Sequence, residues 1–189
     1  DVYKRQPLIV SEDLQALGLE NSFLAGYFEP GAPLLQLFET PANRRSDVDT
    51  QPDLYNQTTS GEIGRLLTAI ERCGRSQNSM LAQVFSGEIT PEECRTITEY
   101  LKLDRQAYLI SAGLADGTPI AHKHGYGSTS AGVITTIGDA GIVYSPGGDY
   151  VLVIFLNNPE LLLWDPANSL AARLSEAAFN FFNLPAPIP

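Results

Sequence analysis

The densest run of residues able to carry charge or move protons is His122-Lys123-His124-Gly125. On an extended strand His122 and His124 project to one face and Lys123 to the other, because side chains alternate. Two imidazoles at i and i+2 could begin a zinc site, which needs three or four ligands. They are the sequence's only histidines, and no His-Glu-x-x-His segment follows, so no metal and no cofactor is expected. Lys123 has two readings. It could hold an anionic substrate group through charge-assisted hydrogen bonds, or be a solvated lysine that discourages pairing at a strand edge.

Other constellations are missing from the sequence: no Gly-rich phosphate loop, no Gly-x-Ser-x-Gly elbow, no pair of Cys-x-x-Cys motifs and no Ser-x-x-Lys. The formal net charge of -10 argues against nucleic acid and anionic membrane as partners, since both reward a basic footprint. With 43% hydrophobic and 18% charged residues among 189, the chain has the composition of a folded globular protein. The longest apolar run, Tyr150 to Leu156, is strand-sized and falls well short of the ~18 residues a membrane helix takes, so no transmembrane segment is expected.

Stepping from N- to C-terminus, Asp1 to Gln6 reads as a non-native leader, without an initiator Met or a signal peptide. Ser11 can cap a short helix through Leu17, stopped by Gly18. Residues 19–57 form a long irregular segment punctuated by Pro30, Pro33, Pro41 and Pro52. Thr59-Ser-Gly-Glu62 is a capping box, followed at helical spacing by Ile63, Leu66, Leu67, Ile70 and Cys73. A weaker helix lies around Ser79 to Phe85. Thr90-Pro-Glu-Glu93 repeats the box ahead of Cys94, Ile97 and Leu101 on one face. Cys73 and Cys94 thus fall on the apolar sides of two helices, where they can form one disulfide or remain buried thiols. A disulfide implies an oxidising, extracytoplasmic compartment.

From Asp116 the period changes to that of strands. Ile120–Gly125, Asp139–Tyr144 and Tyr150–Leu156 are expected strands, the last two joined by the turn Ser145-Pro-Gly-Gly-Asp149. Asp165-Pro166 opens a final helix with Leu170, Leu174, Ala177, Ala178 and Phe181 as its buried stripe. Helices, then three antiparallel strands and a closing helix, make an α+β fold.

Taken in order, Ile120-Ala-His-Lys-His-Gly-Tyr126, Gly138-Asp-Ala-Gly-Ile-Val-Tyr144, Gly147-Gly-Asp-Tyr-Val-Leu-Val-Ile-Phe155 and the last helix resemble the end of a class A β-lactamase or related penicillin-binding protein. Leu14 to Ser22 is similar to the family's segment before its omega loop, and Tyr55 to Thr59 to the segment leaving it. The resemblance runs over residues 8–183. It implies a partial β-lactamase/transpeptidase-like fold: one N-terminally truncated domain over 7–183, with a helical lobe (7–115) holding an omega-like loop (19–57), then strands and last helix (116–183) and a tail (184–189).

The same resemblance implies serine acyl-enzyme chemistry on a β-lactam or related amide or ester. Lys123 would hold the substrate carboxylate, Gly125 would let substrate lie along the strand, and the Tyr126 N–H would be one oxyanion donor. The serine nucleophile, its lysine partner and a Ser-Asp-Asn motif would belong upstream of Pro7, so the isolated chain is expected to be inactive and to lack a partner segment of its own domain. His124 replaces the usual Thr or Ser, still binding substrate but through an imidazole. Phe28-Glu29-Pro30 resembles the deacylating glutamate's setting, although Pro33 takes the place of its asparagine. A cell-wall D,D-peptidase-like enzyme acting on a peptidoglycan-like substrate, or a non-catalytic binding module on the same fold, are the alternative readings.

Overall fold

In this computed structural model the described residues are 6–27, 29, 31–45, 47, 53–104, 106–129 and 131–184. The expected leader lies outside them except for Gln6, and the expected tail except for Leu184. The chain divides between Ile63 and Gly64 into two compact units, taken here in turn.

In the first unit helix α1 (Gln6–Ala16) ends at Gly18, whose φ of 70° is the left-handed stop the sequence promised. Its start differs from expectation. Ser11 does not cap the helix but sits inside it, 1% exposed. There its hydroxyl is 2.8 Å from both the N–H and the C=O of Leu24, giving backbone beside the helix a partner it would otherwise lack. Leu24 belongs to β1 (Phe23–Leu24), which pairs antiparallel with β2 (Asn56–Gln57). This short ladder ties the two ends of the irregular segment 19–57 together. Glu62, 3% exposed, fastens the same base: its carboxylate accepts from the Asn21 N–H (2.9 Å), the Asn21 side-chain amide (2.8 Å) and the Ser22 hydroxyl (2.6 Å). The Glu62 N–H donates to Thr59 Oγ1 at 3.2 Å, as a cap should.

Helix α2 (Ser60–Arg75) leads into the second unit. A short helix α3 (Met80–Val84) is capped by Ser79, and α4 (Pro91–Leu101) carries the complete Thr90/Glu93 box with Pro91 in its first turn. Cys73 on α2 and Cys94 on α4 are joined as a disulfide, their Cα atoms 5.9 Å apart. The inner face of α4 is not quite the expected one: Ile97 is 43% exposed, and Thr98 is buried in its stead.

Three antiparallel strands follow in the order β3 (Ile120–Ser128), β4 (Ile134–Ser145), β5 (Gly148–Asn157). All three outrun the expected bounds because the ladder continues through residues with weak strand preference, such as Gly127 and Gly138. The β4–β5 hairpin closes over Pro146 and Gly147, with Gly148 at a φ of 135°. One face of the sheet presents Ile137, Val143, Tyr150 and Ile154 to Leu109, Ile110 and helix α5 (Trp164–Phe182).

The buried stripe of α5 is displaced from the expected one. Ala167, Ala171 and Ser175 are buried, while Leu170 and Leu174 are each 46% exposed and Phe181 is 68% exposed. Small residues win because the helix backbone comes very close to the 3-10 turn Ser111–Gly113. The Ser175 hydroxyl donates to the Ile110 C=O at 2.7 Å, and a Cβ on Gly113 would fall 2.0 Å from the Ala172 carbonyl oxygen. No large side chain fits such an approach.

Gly113→Ala should cost about 3 kcal/mol by overpacking, read as a lower midpoint in urea, whereas Gly61→Ala, with open space at its Cβ, should be neutral or mildly stabilising. Replacing both cysteines by serine should cost ~3 kcal/mol in the chain-entropy model for a loop of this size.

Candidate functional site

Strand β3 is an edge of its sheet, so half of its backbone groups have no partner on β4. The Tyr144 N–H donates to the Pro119 C=O at 3.0 Å, making 119 and 144 a hydrogen-bonded pair. With His122 opposite Gly141, His124 opposite Asp139 and Tyr126 opposite Ile137, alternation places these three in non-hydrogen-bonded pairs. Their N–H and C=O groups point away from β4 to the free edge. The Lys123 ammonium folds over that edge, donating to the outward His124 C=O at 2.6 Å. Between them nothing lies within 4 Å of where a Gly125 Cβ would be. Lys123 and Tyr126 are both exposed. Thus Lys123, His124, Gly125 and Tyr126 line one strand edge with a cation, an outward N–H and open space between.

Behind the edge lies a cluster that the sequence reading did not assemble. His122 and Asp139 are each 1% exposed, and His122 Nδ1 stands 3.0 and 3.1 Å from the two Asp139 oxygens. The room comes from Gly141, where a Cβ would meet the His122 Cβ at 2.7 Å. Asp139 Oδ2 also accepts the Ile110 N–H at 3.1 Å. Beyond this pair, His124 Nδ1 is 2.8 Å from Asp104 Oδ2, and the two imidazole centroids are 6.3 Å apart. Burial disfavours the charged form of His122, but the bond and charge of Asp139, with the charge of Asp104, outweigh it and hold the imidazole above its usual value. Asp104 is opposed by burial too, yet the Gln106 N–H and the two imidazoles hold its carboxyl below the usual range. A signal for Asp139 existed: an acid amid an apolar strand must find a partner. Asp104 carried none, since its partner is set by tertiary structure alone.

Glu29 belongs to the first unit, where its side chain is exposed and its carbonyl accepts the Ala32 N–H at 3.1 Å; Phe28 and Pro30 lie outside the described residues. Among the described residues no group of three or more His, Cys, Asp or Glu is placed to hold a metal, and no helix is long and apolar enough to cross a membrane. A hollow of about 400 Å³ opens beside Arg75, Gln77, Thr90 and Arg95 without touching β3. Its Arg75 is already bonded to Glu71 and Asp149.

The buried pair should appear in the pH dependence of stability. His122, with its folded value raised, contributes below about 6.5 and loses that contribution as pH rises through the folded value. Asp104, with its folded value lowered, contributes above about 3.9 and loses it as pH falls. The melting temperature should therefore decline on both sides of that window, and Asp139→Asn should flatten the alkaline limb. Removing one partner of a buried pair costs roughly 3–5 kcal/mol, so Asp139→Ala should unfold in much less urea than the wild type.

The family model described as "Beta-lactamase enzyme family" matches residues 10–182. A variant of PBP-A, solved as an acyl-enzyme complex with penicillin G, shares 19% identity at a TM-score of 0.60, over 93% of this chain and 51% of its own. The TLA-1 extended-spectrum β-lactamase shares 16% at 0.62, over 93% and 54%. A β-lactamase from Chitinophaga pinensis DSM 2588 shares 15% at 0.64, over 94% and 56%. No curated protein matches the sequence. The chain thus spans about half the length of these solved relatives, which share its α+β arrangement of helices, three-strand antiparallel sheet and C-terminal helix. By the match over residues 10–182, the chain belongs to the β-lactamase enzyme family.

Proposed function

We propose that this chain is the C-terminal part of a serine hydrolase that works through an acyl-enzyme on a β-lactam or related amide or ester, with β3 as one wall of its site. One observation carries the reading: the Lys123 ammonium and the outward Tyr126 N–H share the free edge of β3, with open space at Gly125 between them. Such an edge can hold a substrate anion by charge and a carbonyl oxygen by a backbone donor. A PBP-A variant known as an acyl-enzyme complex with penicillin G supports the type of chemistry. In that chemistry a serine oxygen from the upstream half attacks the substrate carbonyl carbon. Its proton leaves to a base, the departing nitrogen gains one, and water later splits the ester.

Glu29 is the candidate base for that water, with its exposed side chain on a loop whose base is fixed by the Glu62 carboxylate. The upstream half also supplies a natural partner for the apolar free edge of β5. The disulfide agrees with an extracytoplasmic site of action. His124 favours a second reading on the same fold, a D,D-peptidase-like enzyme, because an imidazole replaces the hydroxyl that would meet a β-lactam carboxylate.

The test is hydrolysis of nitrocefin and of a D-alanyl-D-alanine peptide by the 189-residue chain, alone and refolded with the upstream half of its reading frame. The chain alone should be silent and the reconstituted protein active. Lys123→Ala should lower kcat/KM on the order of a hundredfold, ~2.7 kcal/mol of transition-state stabilisation, and Glu29→Gln should make the acyl-enzyme accumulate. Turnover by the chain alone, or none by the reconstituted protein on either substrate, would contradict the proposal.

A further inference from the structure

Strand β5 is the other edge of the three-stranded sheet among the described residues. Tyr144 turns its N–H toward β3, so its pair with Asp149 is not a hydrogen-bonded one. Alternation then sends the N–H and C=O groups of Val151, Val153 and Phe155 to the free edge. From Tyr150 to Leu156 the strand has no charge and no proline, so it lacks the usual devices that keep edges apart. Above the same edge runs an uncovered side of α5. With 3.6 residues per turn, Ala172 and Glu176, which approach Gly113, fall on one flank of the buried Ala167 and Ala171. Leu170, Leu174, Ala177 and Phe181 fall on the other. The Gly113 flank leads to β4 through the bond from the Ile110 N–H to Asp139, so the apolar stripe overhangs β5. Its two leucines are each 46% exposed and Phe181 is 68% exposed.

We propose that a second copy of this chain docks here, β5 against β5 about a twofold axis, making a six-stranded sheet with the two α5 helices side by side on one face. A twofold perpendicular to the sheet imposes antiparallel pairing and brings the same patch of each copy together. No like charges meet along Tyr150 to Leu156, because the strand carries none there. The spacing also fits. Helix α5 packs on Ile137 and Val143 of β4 and on Tyr150 and Ile154 of β5, so its axis lies over the boundary of the two strands, half a strand spacing inside β5. The twofold lies half a spacing outside it. With strands ~4.8 Å apart, the two helix axes come to about 10 Å from each other, the separation at which packed helices touch. Backbone pairing and apolar stripes are thereby closed together, two layers toward the roughly 1,200–2,000 Å² that stable interfaces bury. The inference is independent of the hydrolase reading, under which an upstream segment and a second copy compete for this edge.

The experiment is sedimentation velocity of the full 189-residue chain across the micromolar range, together with hydrogen exchange of its amides. A discrete dimer should form, and the Val151, Val153 and Phe155 amides should exchange more slowly as concentration rises. Leu174→Glu on the stripe and Phe155→Lys on the strand replace residues 46% and 42% exposed. Each should weaken the dimer on the order of tenfold, since like charges then meet across the twofold. Leu103→Glu, at a leucine 63% exposed beyond α4, should leave the dimer intact, which separates a docking surface from general stickiness. A monomer throughout, open-ended oligomers alone, a dimer indifferent to both substitutions, or edge amides indifferent to concentration would overturn the proposal. Should one variant not fold, the other and the wild-type exchange decide. No substrate or nucleophile enters these measurements, so their failure is distinct from failure of the hydrolase reading.

Discussion

Removing an imidazole and a carboxylate from water costs several kcal/mol per ion unless each meets the other and its remaining groups are bonded. His122 and Asp139 meet each other at the centre of the second unit, with Nδ1 3.0 Å from Oδ1, and much of its architecture serves the carboxylate. Asp139 takes the Ile110 N–H and Ser175 gives its hydroxyl to the Ile110 C=O, so the wholly buried backbone of Ile110 is bonded on both sides. One buried cluster thereby ties β3, β4, the turn after residue 109 and α5 together. Leu109, held at a φ of 52°, costs some strain that its neighbours must hold in place. Its N–H bond to Asn168 on α5, at 2.7 Å, is part of that hold.

Much of this was written locally. The Thr90 box, the Gly18 stop and the glycine-bearing β4–β5 turn are short-range signals with direct mechanisms, and the structure places them as read. The stripe of α5 was misread because periodicity looks for large apolar residues. The contact that matters is a close approach of the helix to Gly113 at Ala172, Ser175 and Glu176, and the buried stripe is made of the small Ala167, Ala171 and Ser175. Ser11 was misread for a related reason: a hydroxyl near a helix start looks like a cap until a distant strand, here Leu24, claims it. The Asp104–His124 and His122–Asp139 contacts join residues 20 and 17 positions apart, and no local pattern announces such partners.

The free edge of β3 takes its character from that buried cluster. Alternation sends His122 inward to the ion pair and Lys123 to the opposite face, so anchoring one orients the other. A strand pinned from behind keeps its outward N–H groups in place, which is what preorganised stabilisation of a developing oxyanion requires. Under the proposed function this edge is one wall of the site, and the chain covers about half the length of its solved relatives.

The role of β3 is tested by the intact mass of the reconstituted protein after brief exposure to penicillin G, with its two parts separated before detection. A penicilloyl adduct should form on the upstream part, be reduced in Lys123→Ala, and be missing from the 189-residue chain. An adduct on this chain itself, or an adduct indifferent to Lys123, would contradict the view that β3 is the substrate-holding wall of a serine hydrolase.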